Sequence, residues 1–152
     1  MIKNANRPAL EILIGDDAFL MPVEAMMIQD RYLEPLRDKL TTYDVNFSYA
    51  SKPEELIKEA QAAKKYDVIV TDLDYQTQGR AGTEGFAIID QINSMPLSKK
   101  PHLILCTSSD DQLPHIQKRL DEGKIDKYVG GQYGNHKFTN LVNYLVQMFQ
   151  EE

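Results

Sequence analysis

A chain of 152 residues, 42% hydrophobic and 26% charged, has the size and composition of one soluble domain with a core of its own, and residues 1–152 are expected to form a single unit with no output domain. A formal net charge of −6, spread along the chain rather than gathered in a tail, argues against a general electrostatic grip on nucleic acid or on an anionic membrane surface. No apolar run is long enough to cross a bilayer, no secretory leader pattern opens the chain, and the one cysteine, Cys106, can form no internal disulfide, so a cytoplasmic setting with protein partners is expected.

The run from Leu10 to Gly15 is short and apolar, stops at the acidic pair Asp16 and Asp17, and reads as a buried strand. From Val23 to Leu40, Met26, Leu33, Leu36 and Leu40 recur at helical spacing, with Pro35 expected to break or kink that helix. Met21, Met26 and Met27 are read as packing around it. Val45 to Ala50 suits a second strand. Ser51, Pro53 and Glu54 then supply a cap, a first-turn proline and a capping-box acid for a helix through about Ala63.

Asp67 to Thr71 is short and rich in β-branched residues, as a fully buried parallel strand would be, and it ends at Asp72. A polar loop from Leu73 to Gly85 leads into a helix carrying Phe86, Ile89 and Ile92, ended near Pro96. Pro101 to Cys106 is the fourth strand, closing at Thr107. Asp110 to Leu120 reads as a helix with a thin apolar stripe, and Lys127 to Val129 as a short fifth strand. The last helix is the clearest, with Phe138, Leu141, Val142, Leu145, Val146 and Phe149 on one face.

Strands alternating with helices in this way predict an α/β fold, a doubly wound five-stranded parallel sheet with helices on both faces and the flavodoxin-like order 2-1-3-4-5. In such sheets ligands bind outside the carboxyl ends of the strands, where the strand order reverses. That rule gathers Asp16, Asp17, Asp72 and Thr107 into one patch. Three carboxylates there raise one another's pKa unless a hard divalent cation, expected to be magnesium, neutralises them. With such a cation an ionised aspartate can attack phosphorus. Taken singly, each acid reads more simply as a turn residue or helix cap, Thr107 as a strand-end or capping hydroxyl, Tyr128 as a core or rim aromatic and Cys106 as a small buried hydrophobe; taken together, the acids point to the site. His102, His115 and His136 show no ligand spacing.

The residues ILIGDD, VIVTDLD, EGFAII, LILCTSS and DKYVGG, in this order and on these strands and helices, resemble the receiver domains of two-component response regulators over nearly the whole chain. The resemblance implies Asp72 as phosphoacceptor, Asp16 and Asp17 as magnesium ligands, and Asp74 as the donor of a backbone carbonyl to the metal. It further implies Thr107 as the switch hydroxyl and Tyr128 as the switch aromatic. Two departures stand out. Gly131 and Gln132 occupy the place where the family has lysine followed by proline, so a phosphate-binding cation is missing there, and the loop after Leu73 is long. Arg80 in that loop is a candidate substitute for the missing ammonium, and Lys124 and Lys127 are others.

The leading expectation is a stand-alone receiver, not an enzyme in the ordinary sense. It would take a phosphoryl group from a histidine kinase or phosphotransfer protein and signal to a further protein through the face of its fourth helix, fifth strand and fifth helix, a face also open to homodimer formation. A second reading is a pseudo-receiver that binds partners without phosphate, suggested by Gly131. A third is a phosphatase of the haloacid dehalogenase type, from the DxD formed by Asp72 and Asp74, although Gln76 stands where that motif wants threonine or valine.

Overall fold

Alternation within the apolar runs builds both faces of one sheet. In the computed structural model, which describes residues 7–62, 65–75, 84–108, 111–131 and 136–150, five parallel strands form: β1 (Ala9–Gly15), β2 (Asp44–Ala50), β3 (Val68–Thr71), β4 (His102–Thr107) and β5 (Lys127–Gly130). Their order is β2-β1-β3-β4-β5. Ile12, Ile14, Val68, Val70, Ile104 and Cys106 face one layer, while Leu13, Ile69, Leu103 and Leu105 face the other, and all are buried. Burial on both faces is why these strands read as continuous apolar runs.

The first layer is closed by α1 (Pro22–Ile28), α2 (Pro35–Lys39) and α6 (His136–Phe149), through Ile28, Leu36, Phe138, Leu141 and Leu145. The second is closed by α3 (Pro53–Gln61), α4 (Glu84–Ser94) and α5 (Leu113–Asp121), through Leu56, Ile88, Ile89 and Ile116. Each such side chain contributes about 1.5–3 kcal/mol by leaving water.

Two local expectations are corrected. Between α1 and α2 the chain forms a π turn, Gln29–Leu33, in which the Glu34 amide donates to the Gln29 carbonyl at 2.8 Å. The wider turn accommodates Pro35, which lacks an N–H and would crowd the Arg31 carbonyl of a regular helix. The extra residue also shifts the phase of the apolar stripe. Leu33, Leu36 and Leu40 continue back to Ile28, while Met26, and Met21 before it, turn out to solvent at 63% and 59% exposure. At α3 the expected Ser51 cap does not form: Lys52 stands at the N-cap without a side-chain hydrogen bond, while the amide and hydroxyl of Ser51, one residue earlier, both donate to Glu55 Oε1 at 2.9 Å, so Glu55 rather than Glu54 reaches back over the helix start.

The topology sets the chemistry. β1 and β3 lie side by side, and the Asp72 amide donates to the Gly15 carbonyl at 3.0 Å, extending their ladder one residue past the strand. The Asp16 amide does the same towards β2 through the Ala50 carbonyl at 2.9 Å. Both aspartates are thus fixed by the sheet itself.

Candidate functional site

Asp16, Asp17 and Asp72 converge at the carboxyl edge of β1 and β3, with one carboxylate oxygen from each within 4.8 Å of the others. Asp16 Oδ1 accepts the Ala18 amide at 2.9 Å, capping the 3-10 turn Asp17–Leu20, and Asp72 Oδ1 accepts the Leu73 amide at 2.7 Å. The other oxygen of each points at the same cation: Lys137 Nζ stands 2.6 Å from Asp16 Oδ2 and 3.3 Å from Asp72 Oδ2. Asp16, Asp72 and Lys137 are all buried.

Lys137 is the site residue that sequence reasoning missed. It comes from the first turn of α6, not from the end of β5, and it brings an ammonium to Asp16 and Asp72 although residue 131 is glycine. A signal existed: Lys137 is in phase with Leu141 and Leu145, on the face of the helix that is otherwise apolar. Tyr75 was missed as well. It is buried, its hydroxyl lies 2.8 Å from Thr71 Oγ1, and that threonine hydroxyl lies 2.9 Å from the Asp72 carbonyl, which it can donate to. The pair fastens the turn that follows Asp72. Gly85 fastens it from the other side, because a Cβ there would lie 2.3 Å from the Asp72 carbonyl oxygen; α4 therefore packs directly on the Asp72–Leu73 backbone.

Charge is unbalanced in this pocket. Burial, and then the neighbouring Asp16, push the Asp72 carboxyl up to about 7, with Lys137 offsetting part of the effect. Burial also pushes Asp17 up to about 6, assisted by Asp16, with Asp74 contributing. Burial favours the neutral form of Lys137, but Asp16 and then Asp72 outweigh it and hold the ammonium charged. Three carboxylates against one ammonium leave negative charge to be neutralised, and an all-oxygen donor set is what a hard cation such as magnesium takes. The residues present fit that ion.

The remaining expectations divide. Thr107 is buried at the end of β4, in register with Gly130 of β5. Tyr128 is half-buried on β5 with its ring lying along the strand, so that a Cβ on Gly130 would meet its hydroxyl at 2.7 Å. Asp74 is half-buried close to Asp17. Arg80 and Gln76 lie outside the described residues. Lys124 and Lys127 do not serve the site: Lys124 Nζ is 3.6 Å from Glu122, and Lys127 Nζ sits 5.1 Å from the centre of the Tyr144 ring.

Comparison with known proteins bears on the fold. No protein-family model matches the chain, and a search of curated proteins finds no match. Solved structures do match. The response regulator domain of Thermotoga maritima CheB superposes with a TM-score of 0.59 at 16% identity, covering 93% of this chain and 94% of that one. A two-component response regulator from Cytophaga hutchinsonii gives 0.58 at 19%, covering 93% and 99%. A protein from Rhodopirellula baltica described as an adenylate cyclase gives 0.59 at 15%, covering 93% and 90%. The chain has the receiver-domain fold, and among the described residues no helix is long and apolar enough to cross a membrane.

Proposed function

We propose that this chain is a response-regulator receiver that accepts a phosphoryl group on Asp72 and relays the event through protein contacts. The observation that carries the reading is the Lys137 ammonium held between Asp16 and Asp72, 3.3 Å from Asp72 Oδ2, the oxygen opposite the one that accepts the Leu73 amide. A fold whose solved counterparts are mostly response regulators favours signalling over turnover of a substrate.

In this reading Asp16, Asp17 and Asp72 hold magnesium, with the backbone carbonyl of Asp74 as a further ligand. When bound, the ion offsets charge developing on the phosphoryl oxygens. Asp72 Oδ2 forms the bond to phosphorus as the bond from phosphorus to a histidine nitrogen of a kinase or phosphotransfer protein breaks, and the departing nitrogen keeps the electron pair. Lys137 then faces a phosphoryl oxygen, a charge-assisted contact contributing about 1.5–3 kcal/mol. Thr107 supplies the hydroxyl that follows the phosphoryl group, and Tyr128 the aromatic that follows Thr107. Leu20, Met21, Val23 and Met26 stand exposed just after the acidic pair, an apolar surface suited to a protein donor. The face of α5, β5 and α6 is proposed for the downstream protein.

The phosphate-independent module was favoured by the missing cation, and Lys137 removes that reason. Incubation with acetyl phosphate and magnesium followed by intact-mass measurement is the test. The expected result is a gain of one phosphoryl group that requires magnesium and is abolished in Asp72→Asn. Labelling that persists in Asp72→Asn, or no labelling in the parent protein, rejects Asp72 as the acceptor.

A further inference from the structure

We propose that Gly131 is the positioning residue of this site: having no side chain, it lets the first turn of α6 close onto the end of β5, and that closure sets the Lys137 ammonium between Asp16 and Asp72. This deepens the reading above and rests on it for what the ammonium would contact after phosphorylation.

A Cβ on Gly131 would lie 2.4 Å from the Lys137 amide nitrogen, 2.8 Å from its Cα and 2.9 Å from the His136 carbonyl carbon. All three are backbone atoms, so no rotamer change relieves the clash. The turn cannot easily slide either. Asn140 Nδ2 donates to the Gly130 carbonyl at 2.6 Å, the Cys106 thiol lies 3.7 Å from the Lys137 carbonyl it donates to, and Phe138 is fully buried beside them. Any side chain at 131 must therefore lift Lys137 away from the sheet.

The distances say which contact fails first. Restoring ordinary van der Waals separation from 2.4 Å needs a shift of about 1 Å. The Asp16 contact at 2.6 Å can stretch, whereas the Asp72 contact at 3.3 Å is already near the limit of a hydrogen bond. Bulk at 131 thus disconnects the ammonium from Asp72 before it disconnects it from Asp16. The same close packing ties α6 to the site, because a ligand that draws the ammonium towards itself pulls on the helix that carries it.

The experiment is a proton–nitrogen correlation spectrum of lysine ammonium groups, recorded on the full chain without metal. Parent protein is expected to show a slowly exchanging signal, absent in Lys137→Met, because a buried ammonium between two carboxylates is shielded from water. Gly131→Ala is expected to lose or shift that signal while keeping the amide spectrum of a folded chain; an unchanged signal overturns the proposal. Should Gly131→Ala fail to fold, Asn140→Ala removes the neighbouring clamp between α6 and the Gly130 carbonyl without adding bulk and must weaken the signal, and no weakening overturns the proposal equally. Titration with Mn2+ supplies the second readout. Lys137→Met is expected to tighten binding by about tenfold by removing a competing cation, and Gly131→Ala to tighten it in the same sense but to add nothing in a Lys137→Met background. An undiminished Gly131→Ala effect in that background overturns the positioning role. Lack of Mn2+ binding throughout, with the ammonium signal behaving as expected, would instead sink the cation-site reading and leave the positioning role standing.

Discussion

Replacing Asp72 with asparagine removes a charge that burial disfavours. The carboxyl is pushed from 3.8 to about 7, first by burial and then by Asp16. At about 1.36 kcal/mol per pKa unit, keeping it ionised well above pH 7 costs the metal-free folded state about 4 kcal/mol. A carboxyl whose folded-state pKa is raised contributes stability that is complete below its unfolded value and lost as the pH rises through the folded value, here between about pH 4 and pH 7. Asparagine recovers only part of this. Its carbonyl can still accept the Leu73 amide, but its NH2 then faces the Lys137 ammonium in place of an acceptor, and losing that contact costs about 1–3 kcal/mol. Asp72→Asn is therefore expected to stabilise the chain by about 1–3 kcal/mol at pH 8 in EDTA, raising Tm by about 3–9 °C, with no gain at pH 5. Thermal unfolding followed by circular dichroism at both pH values reads this directly, and magnesium at pH 8 should narrow the gap by stabilising the parent protein. A variant that melts at or below the parent at pH 8 refutes the argument that this carboxylate is strained by its burial.

Lys137→Met is expected to weaken binding of beryllofluoride in magnesium by about ten- to a hundredfold, the loss of one charge-assisted contact; equal affinities would show that the ammonium does not meet the phosphoryl analogue. Gly85→Ala should lower stability by about 1–3 kcal/mol, because its Cβ would be driven into the Asp72 carbonyl oxygen. A urea unfolding curve with an unchanged midpoint would contradict that close approach.

Much was legible in the order of residues along the chain, for a physical reason: strands buried on both faces cannot afford polar residues, so LEILIG, DVIVT and PHLILC mark themselves, and so do the acids at which the first two of them stop. Once the parallel order is inferred, strand ends become neighbours, and the meeting of Asp16, Asp17 and Asp72 follows without further information. Helix boundaries were less secure where a local device altered the phase. The π turn before Pro35 turned Met26 outward and brought Ile28 inward, and α3 began with Lys52 at its N-cap, Ser51 donating to Glu55 instead of capping.

What the chain could not disclose by itself is the source of the cation. A lysine in phase with Leu141 and Leu145 is an anomaly in sequence, but its meaning depends on how closely α6 approaches β5, and that distance is decided by Gly131 meeting the backbone of Lys137 in space. Periodicity determines which face a residue occupies. Only tertiary packing brings a charge from the last helix within 2.6 Å of a carboxylate on the first strand's edge, because that contact joins residues with no local relation to one another.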